Sequence, residues 1–143
     1  MTGIDEAGGA PERCGPLAEL RLARMALAVC EDLALAGMPA AYAGSSFDGL
    51  SRAVSGAVVF HAPYNDESAG VYVKWEPHPM LVGQILRPEA SDTRALAVGS
   101  AAAEAMRQAL CKVLGAAGWA AWEYTNSVTG ELYLKVGEKA PGE

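Results

Sequence analysis

Residues 57–79 read AVVFHAPYNDESAGVYVKWEPHP, and this stretch decides the fold. Apolar and polar residues alternate on both sides of a polar loop at residues 63–70, which is the pattern of a β-hairpin. The register follows from matching the apolar faces, because a shift of one residue turns every side chain to the opposite face. Phe60 is then predicted to lie opposite Val73 in the core, and His61 to lie on the outer face.

The end of the chain predicts a second hairpin. Its strands are residues 119–125 and 131–136, and pairing Trp122 with Leu134 builds an apolar face. Both hairpins carry the pattern Tyr-x-Lys on the predicted outer face. This echo fits a duplication of helix, strand and strand, but any half-buried strand alternates in this way, and we favour that simpler explanation.

Two long helices are predicted, one before each hairpin. Pro16 opens the first, which runs to about Leu35, because proline suits the first helical turn. Ser91 or Asp92 begins the second, which runs to about Leu114. The first helix holds so many small apolar residues that we expect it to be buried on more than one side.

Three shorter elements complete the prediction: a strand at residues 38–44, a short helix at residues 45–54 and a strand at residues 80–86. The chain is therefore predicted to be α+β, with an antiparallel sheet of about five strands and two long helices packed on one face. The predicted order is helix, strand, short helix, three strands, helix and two strands.

Length and composition indicate one globular domain. The chain has 143 residues, of which 51% are hydrophobic and 20% are charged, so it is long enough and apolar enough to bury a core. We assign the domain to residues 16–137, between flexible tails at residues 1–15 and 138–143.

Charge and cysteine content narrow the partners and the compartment. The net charge of −6 argues against binding to nucleic-acid phosphates or to anionic lipid. The first residues lack the basic and apolar segments of a secretory signal, and no apolar run reaches membrane-spanning length. Three widely spaced cysteines fit neither a disulfide framework nor a zinc site. We therefore expect a cytoplasmic protein that binds neither nucleic acid nor a membrane.

Few residues suggest a catalytic or metal-binding role. His61 beside Tyr72 could act as a general acid or base, although we favour a surface histidine stacked on its cross-strand neighbour. Glu76 and His78 could hold a metal with a third ligand, although a strand that ends at two prolines explains this stretch better. The sequence contains no nucleophile, phosphate-loop or zinc motif. We therefore assign no catalytic residue, no cofactor and no metal, and the sequence favours a protein that is not an enzyme.

The expected function is binding of another protein. We expect a small, acidic, soluble domain that regulates or escorts its partner through the outer face of its sheet and forms a homodimer. One alternative is a small enzyme or small-ligand binder with a pocket near His61, Glu76 and His78. Another alternative is an accessory protein of a mobile element. The candidate binding residues are His61, Tyr72, Lys74, Trp119, Tyr133 and Lys135.

Overall fold

The structure is a computed structural model that describes residues 12–45, 55–85, 93–127 and 130–138. It confirms the predicted α+β class, with a five-stranded sheet and helices. In chain order the elements are α1 (Pro16–Leu35), β1 (Ala40–Tyr42), β2 (Gly56–Ala62), β3 (Gly70–Glu76), α2 (Pro79–Ile85), α3 (Thr93–Ala116), β4 (Trp119–Thr125) and β5 (Leu132–Glu138). Within the described ranges, no helix is long and apolar enough to cross a membrane.

The strands lie in the order β1-β2-β3-β5-β4. The pairs β2–β3, β3–β5 and β5–β4 are antiparallel, as predicted, whereas β1 runs parallel to β2. The prediction of an antiparallel sheet is therefore only approximate. Parallel neighbours need a connection that crosses back along the sheet, and the chain between Tyr42 and Gly56 is long enough to make it.

The helices α1 and α3 pack on one face of the sheet, as predicted. Their apolar sides and the facing strand residues form one buried cluster. It consists of Ala26, Val29, Leu33, Ala57, Val59, Val71, Val73, Leu110, Leu114, Leu134 and Val136. Full burial of a valine or leucine side chain contributes roughly 1.5–3 kcal/mol before chain entropy is counted, so this face supplies most of the stability of the fold.

The predicted register of the first hairpin is wrong by one residue. Phe60 lies opposite Tyr72 rather than Val73, and Val59 takes the place opposite Val73. Phe60 therefore lies on the outer face, and His61 lies on the helix-covered face. The reason is that β2 is buried on both faces over most of its length, so it lacks the alternation that would set its register.

The second hairpin is shifted in the same way. Leu134 lies opposite Glu123 rather than Trp122. Trp122 therefore lies on the outer face, where it is 46% exposed, and Trp119 lies on the helix-covered face. Face matching assumes that the largest aromatic side chains are buried, whereas the small Ala121 packs against the core at this point.

Residues 80–85, which were predicted as part of a strand, instead lie in the short helix α2. His78 begins this helix in two ways. Its carbonyl accepts a hydrogen bond from the Val82 N–H, and its ring Nδ1 accepts one from the Met80 N–H. Pro79 suits the first helical position. The Pro-His-Pro stretch therefore ends β3 and caps a helix at once.

Contrary to the prediction, α1 is buried on one side only. Ala26, Val29 and Leu33 face the sheet and are buried. On the opposite side, four leucines are 44% to 80% exposed. They are Leu17, Leu20, Leu27 and Leu35.

The described structure already makes tertiary contacts before α1 begins. Arg13 pairs with Tyr64 in a β-bridge, and the Cys14 N–H donates to the Pro63 carbonyl. This pairing brings the Arg13 guanidinium to 2.8 Å from the Glu19 carboxylate on α1.

Three predictions fall on residues that the structure does not describe. They are the helix at residues 45–54 apart from its first residue, the cap at Ser91 or Asp92, and the tails before residue 12 and after residue 138.

Candidate functional site

His61 lies at the centre of a polar cluster on the helix-covered face, which we call the His61 cluster and which consists of Arg13, Glu19, Tyr42 and His61. The Nε2 atom of His61 lies 3.0 Å from Glu19 Oε2, and its Nδ1 atom lies 2.7 Å from Tyr42 Oη. Glu19 also accepts a 2.8 Å hydrogen bond from Arg13. His61 as a whole residue is only 3% exposed. One buried side chain therefore joins α1, β1 and β2, and Glu19 extends the link to the segment before α1.

The partner of Nε2 defines the direction of its hydrogen bond. A carboxylate only accepts hydrogen bonds, so the Nε2–H of His61 donates to Glu19, while Nδ1 shares a hydrogen bond with the Tyr42 hydroxyl. The hydrogen bond from His61, together with that from Arg13, holds the pKa of Glu19 below its ordinary value. Burial, with a smaller contribution from the charge of Glu19, raises the pKa of Tyr42. Glu19 is therefore ionised and Tyr42 protonated at neutral pH.

The His61 cluster contains the groups of a proton relay: a carboxylate, an imidazole and a phenol. Catalysis would require one ring nitrogen to reach a substrate, whereas both nitrogens of His61 face protein atoms. This arrangement supports a structural link between elements. It also explains the wrong prediction that His61 lies on the outer face, because a buried polar ring is tolerated in a core when both of its nitrogens are hydrogen-bonded.

The outer face carries four packed aromatic rings, which we call the tyrosine cluster: Phe60, Tyr72, Tyr124 and Tyr133. The Tyr72 ring contacts the other three, with centroids 5.2 to 6.2 Å apart. Tyr72 and Tyr133 are buried although α1 and α3 cover the opposite face. Burial is the main cause that raises the pKa of Tyr72 far above its ordinary value. Its hydroxyl therefore stays protonated, and it donates to the Ser68 carbonyl at 2.7 Å.

The two lysines of the outer face are held by the protein itself. Lys135 Nζ donates to a carbonyl of the β2–β3 loop at 2.7 Å and lies 5.5 Å from the centroid of the Tyr72 ring, within cation–π range. Lys74 donates to Glu131 at 3.1 Å. Glu131 also accepts a hydrogen bond from Tyr133, and this bond, followed by that from Lys74, lowers the pKa of Glu131. The charged groups of this face therefore hold one another in place.

The two tryptophans of the edge strand β4 lie on opposite faces. Trp119, predicted on the outer face, packs against the core, and its Nε1 donates to Asp32 of α1 at 2.9 Å. Trp122 lies across Gly137 of β5, where an added Cβ would sit 3.3 Å from Cη2 of the indole. The exposed position of Trp122 differs from its predicted place in the core. Gly137 was the available signal, because glycine in a strand often makes room for an aromatic ring.

The six predicted binding residues are divided between the two faces of the sheet. The four on the outer face, as predicted, are Tyr72, Lys74, Tyr133 and Lys135, and the two on the helix-covered face are His61 and Trp119. The one-residue shifts of β2 and β4 explain both displaced residues. Glu19 and Tyr42 were not predicted as partners of His61, because they lie 42 and 19 residues from it in the sequence and no local pattern connects them with it.

The structure does not bring Glu76 and His78 to His61. Glu76 lies opposite Gly56, five residues along β2 from His61, which corresponds to roughly 17 Å. His78 caps α2 with its ring nitrogen. Among the described residues, no group of three histidine, cysteine, aspartate or glutamate side chains is placed to hold a metal ion.

A pocket of about 420 Å³ opens between α1 and the β2–β3 loop. Leu22 and Met25 line it from α1, and Tyr64 and Asn65 line it from the loop, with Cys14 at its edge. The three cysteines are free thiols, and burial raises the pKa of the other two, Cys30 and Cys111. A raised pKa leaves little thiolate, which argues against a nucleophilic role for those two.

No protein-family model, no curated protein and no solved structure matches this chain. Its function must therefore be inferred from the geometry of its own residues.

Proposed function

We propose that the protein is a non-enzymatic protein-binding domain that engages its partner through the outer face of its sheet, at the end formed by β4 and β5. The observation that carries the proposal is Trp122, a large apolar side chain that is 46% exposed on this face. Tryptophan is strongly enriched among the few residues that dominate the free energy of protein–protein binding.

The indole of Trp122 is already positioned for binding. It rests against Gly137 of β5, and its backbone lies opposite that of Lys135. Ordering a flexible side chain at an interface costs roughly 0.5–1.5 kcal/mol. Because the sheet holds the ring before the partner arrives, most of that cost is avoided for Trp122.

The strand that carries Trp122 also offers its backbone. β4 is the last strand of the sheet in the part of the chain that the structure describes. The N–H and carbonyl groups on its outer edge pair with no described strand, so an extended segment of a partner could add there. Trp122 would then cover that segment from the outer face.

The polar groups of the outer face support binding rather than chemistry. Tyr72, Lys74 and Lys135 each donate a hydrogen bond within the protein. Because the polar groups of this face are already paired, a partner would recognise the shape of the face and its apolar surface. A partner that is held without being chemically changed fits the regulatory or escort role expected from the sequence.

The test is affinity capture from the native host with wild-type protein and the Trp122→Ala variant. We expect wild type to retain a defined partner and the variant to lose it. With the identified partner, loss of a dominant anchor of 2 kcal/mol or more should weaken binding about 30-fold or more, measured by calorimetric titration.

The matched control is Leu96→Ala, which removes a side chain that is 55% exposed on α3, on the other side of the sheet. This variant should capture the same partner as wild type. The proposal is wrong if Trp122→Ala binds as tightly as wild type, or if the wild-type protein captures no partner.

The small-ligand alternative was expected to use a pocket near His61, Glu76 and His78, whereas the pocket beside Cys14 is lined by none of these three residues. A small-ligand function would therefore have to use this other pocket. Native mass spectrometry of protein purified from its host distinguishes the two functions. A bound small molecule that is lost on Met25→Trp, which fills the pocket, would favour the ligand binder. Protein of unmodified mass would favour the protein-binding proposal.

A further inference from the structure

The exposed side of α1 carries a continuous stripe of residues at spacings of three and four, which we call the α1 stripe. It consists of Leu17, Leu20, Arg24, Leu27, Glu31 and Leu35. Its four leucines are 62%, 44%, 52% and 80% exposed, in chain order. Scattered exposed leucines are ordinary, but four on one face of one helix form a patch of the kind that marks an interaction site.

The α1 stripe is a second apolar side of α1, because the first apolar side of this helix already packs against the sheet. Ala26, Val29 and Leu33 bury the opposite side against the sheet. A helix that lies on a sheet and faces water on its other side ordinarily carries polar residues there. The leucines therefore call for a partner that the described part of the chain does not contain.

The two charged residues of the stripe, Arg24 and Glu31, indicate what kind of partner binds there. Side chains three and four positions away are the neighbours on a helix surface. Those of Arg24 are Leu20, Arg21, Leu27 and Ala28, and those of Glu31 are Leu27, Ala28, Ala34 and Leu35. Neither charge thus has an opposite charge beside it on α1, and no ion pair joins either one to another described residue.

We propose that the α1 stripe is the surface on which a second copy of this chain docks, with the two α1 helices antiparallel. A two-fold axis midway between Arg24 and Glu31, beside Leu27, places Arg24 of each copy next to Glu31 of the other. The same axis places Leu20 of each copy next to Leu35 of the other, and the two Leu27 side chains meet at the centre. The stripe is therefore self-complementary in both charge and apolar surface, as a two-fold interface requires.

The antiparallel direction follows from the charges. A parallel pair in register would set Arg24 against Arg24 and Glu31 against Glu31, and like charges across an interface disfavour that arrangement. Only the antiparallel pair satisfies all four charges at once.

This inference does not depend on the proposed binding through Trp122. The helix α1 covers one face of the sheet and Trp122 lies on the other, so docking through α1 leaves both copies of Trp122 accessible. The dimer would then present two partner-binding surfaces, and a partner with two sites would gain apparent affinity.

The test measures mass in solution by sedimentation velocity over a range of protein concentrations. Wild type should reach twice the chain mass of 14.8 kDa. Arg24→Glu and Glu31→Arg should each raise the dissociation constant at least about tenfold, because each creates two like-charge contacts in place of two ion pairs. An equimolar mixture of these two variants should recover the dimer, since both contacts in the mixed pair are again between opposite charges.

The matched control is Glu104→Arg, which reverses an exposed charge on α3 and should leave the dimer intact. Circular dichroism checks that every variant is folded, which is expected because each substitution replaces an exposed side chain. A wild type that stays monomeric at every concentration overturns the proposal. A dimer that survives both single variants, or a mixture that stays monomeric, overturns it as well.

Discussion

The centre of the helix-covered face of the sheet is aliphatic, whereas the centre of the outer face consists mainly of aromatic rings and lysines. On the first face, valine and leucine side chains pack between strands and helices. On the second, ring contacts, a cation–π contact and hydrogen bonds join side chains from four different strands. The first face gains stability from apolar area removed from water, and the second from groups that satisfy one another.

The contacts on the outer face explain why both hairpins carry the pattern Tyr-x-Lys, and no duplication is required. β3 and β5 are antiparallel neighbours, and Tyr72 lies directly opposite Lys135. The pattern Tyr-x-Lys on two such strands is self-complementary, because each lysine can face the other strand. Lys135 indeed lies over the Tyr72 ring, while Lys74 reaches across to Glu131 beside Tyr133. Pairing between strands is therefore a sufficient reason for the repeated pattern.

The largest loss of stability is expected for substitutions on the helix-covered face. Leu110 of α3 is fully buried, and Leu110→Ala should lower the free energy of unfolding by about 3 kcal/mol, the usual cost of a cavity in an aliphatic core. Urea denaturation measures this change. Leu96→Ala on the exposed side of α3 should change it by less than about 0.5 kcal/mol. Similar losses in both variants would mean that α3 does not pack on the sheet as described.

A smaller loss of stability is expected for substitutions in the His61 cluster, which lies on the same face. His61→Leu fills similar space but leaves the Tyr42 hydroxyl and the Glu19 carboxylate without their shared partner, and should cost about 2 kcal/mol. Its outer-face counterpart is Tyr72→Phe, which removes the hydroxyl that donates to the Ser68 carbonyl and should cost about 1 kcal/mol. Thermal and urea denaturation measure both. An unchanged stability in His61→Leu would show that the cluster does not link the elements it touches.

The same contrast decides how much of the fold could be predicted from the sequence. The long helices and the four hairpin strands follow from local periodicity and from punctuation by proline and glycine. The strand registers do not follow from local periodicity. Val58 and Val59 are both buried, so β2 has no polar side that could be distinguished from an apolar side. The predicted register of the second hairpin is wrong because the large side chain of Trp122 was assumed to be buried.

The His61 cluster shows what local patterns cannot supply. A histidine in a strand is ordinarily predicted on the polar face, and only Glu19 from α1 and Tyr42 from β1 make its burial tolerable. The helix α2 was missed for a related reason. His78 was considered as a metal ligand and as part of a strand exit, whereas its ring nitrogen serves as a helix cap.

The smallest effect should appear only as a dependence on pH. The pKa of Glu19 is lowered in the folded protein, mainly by the hydrogen bond from His61. The stability that Glu19 contributes is therefore fully present above its ordinary pKa of 4.5 and is lost as the pH falls through the lowered value. The amide of Glu19→Gln cannot take up a proton in this range, so the unfolding midpoint of this variant should decline less steeply than that of wild type below pH 4.5. Asp66 and Glu131, whose pKa values are also lowered, should maintain part of the decline in both proteins. Glu104→Gln, which changes an exposed carboxylate on α3, should follow the wild-type curve. An identical acid slope in Glu19→Gln would show that the ionised Glu19 carboxylate does not contribute to stability.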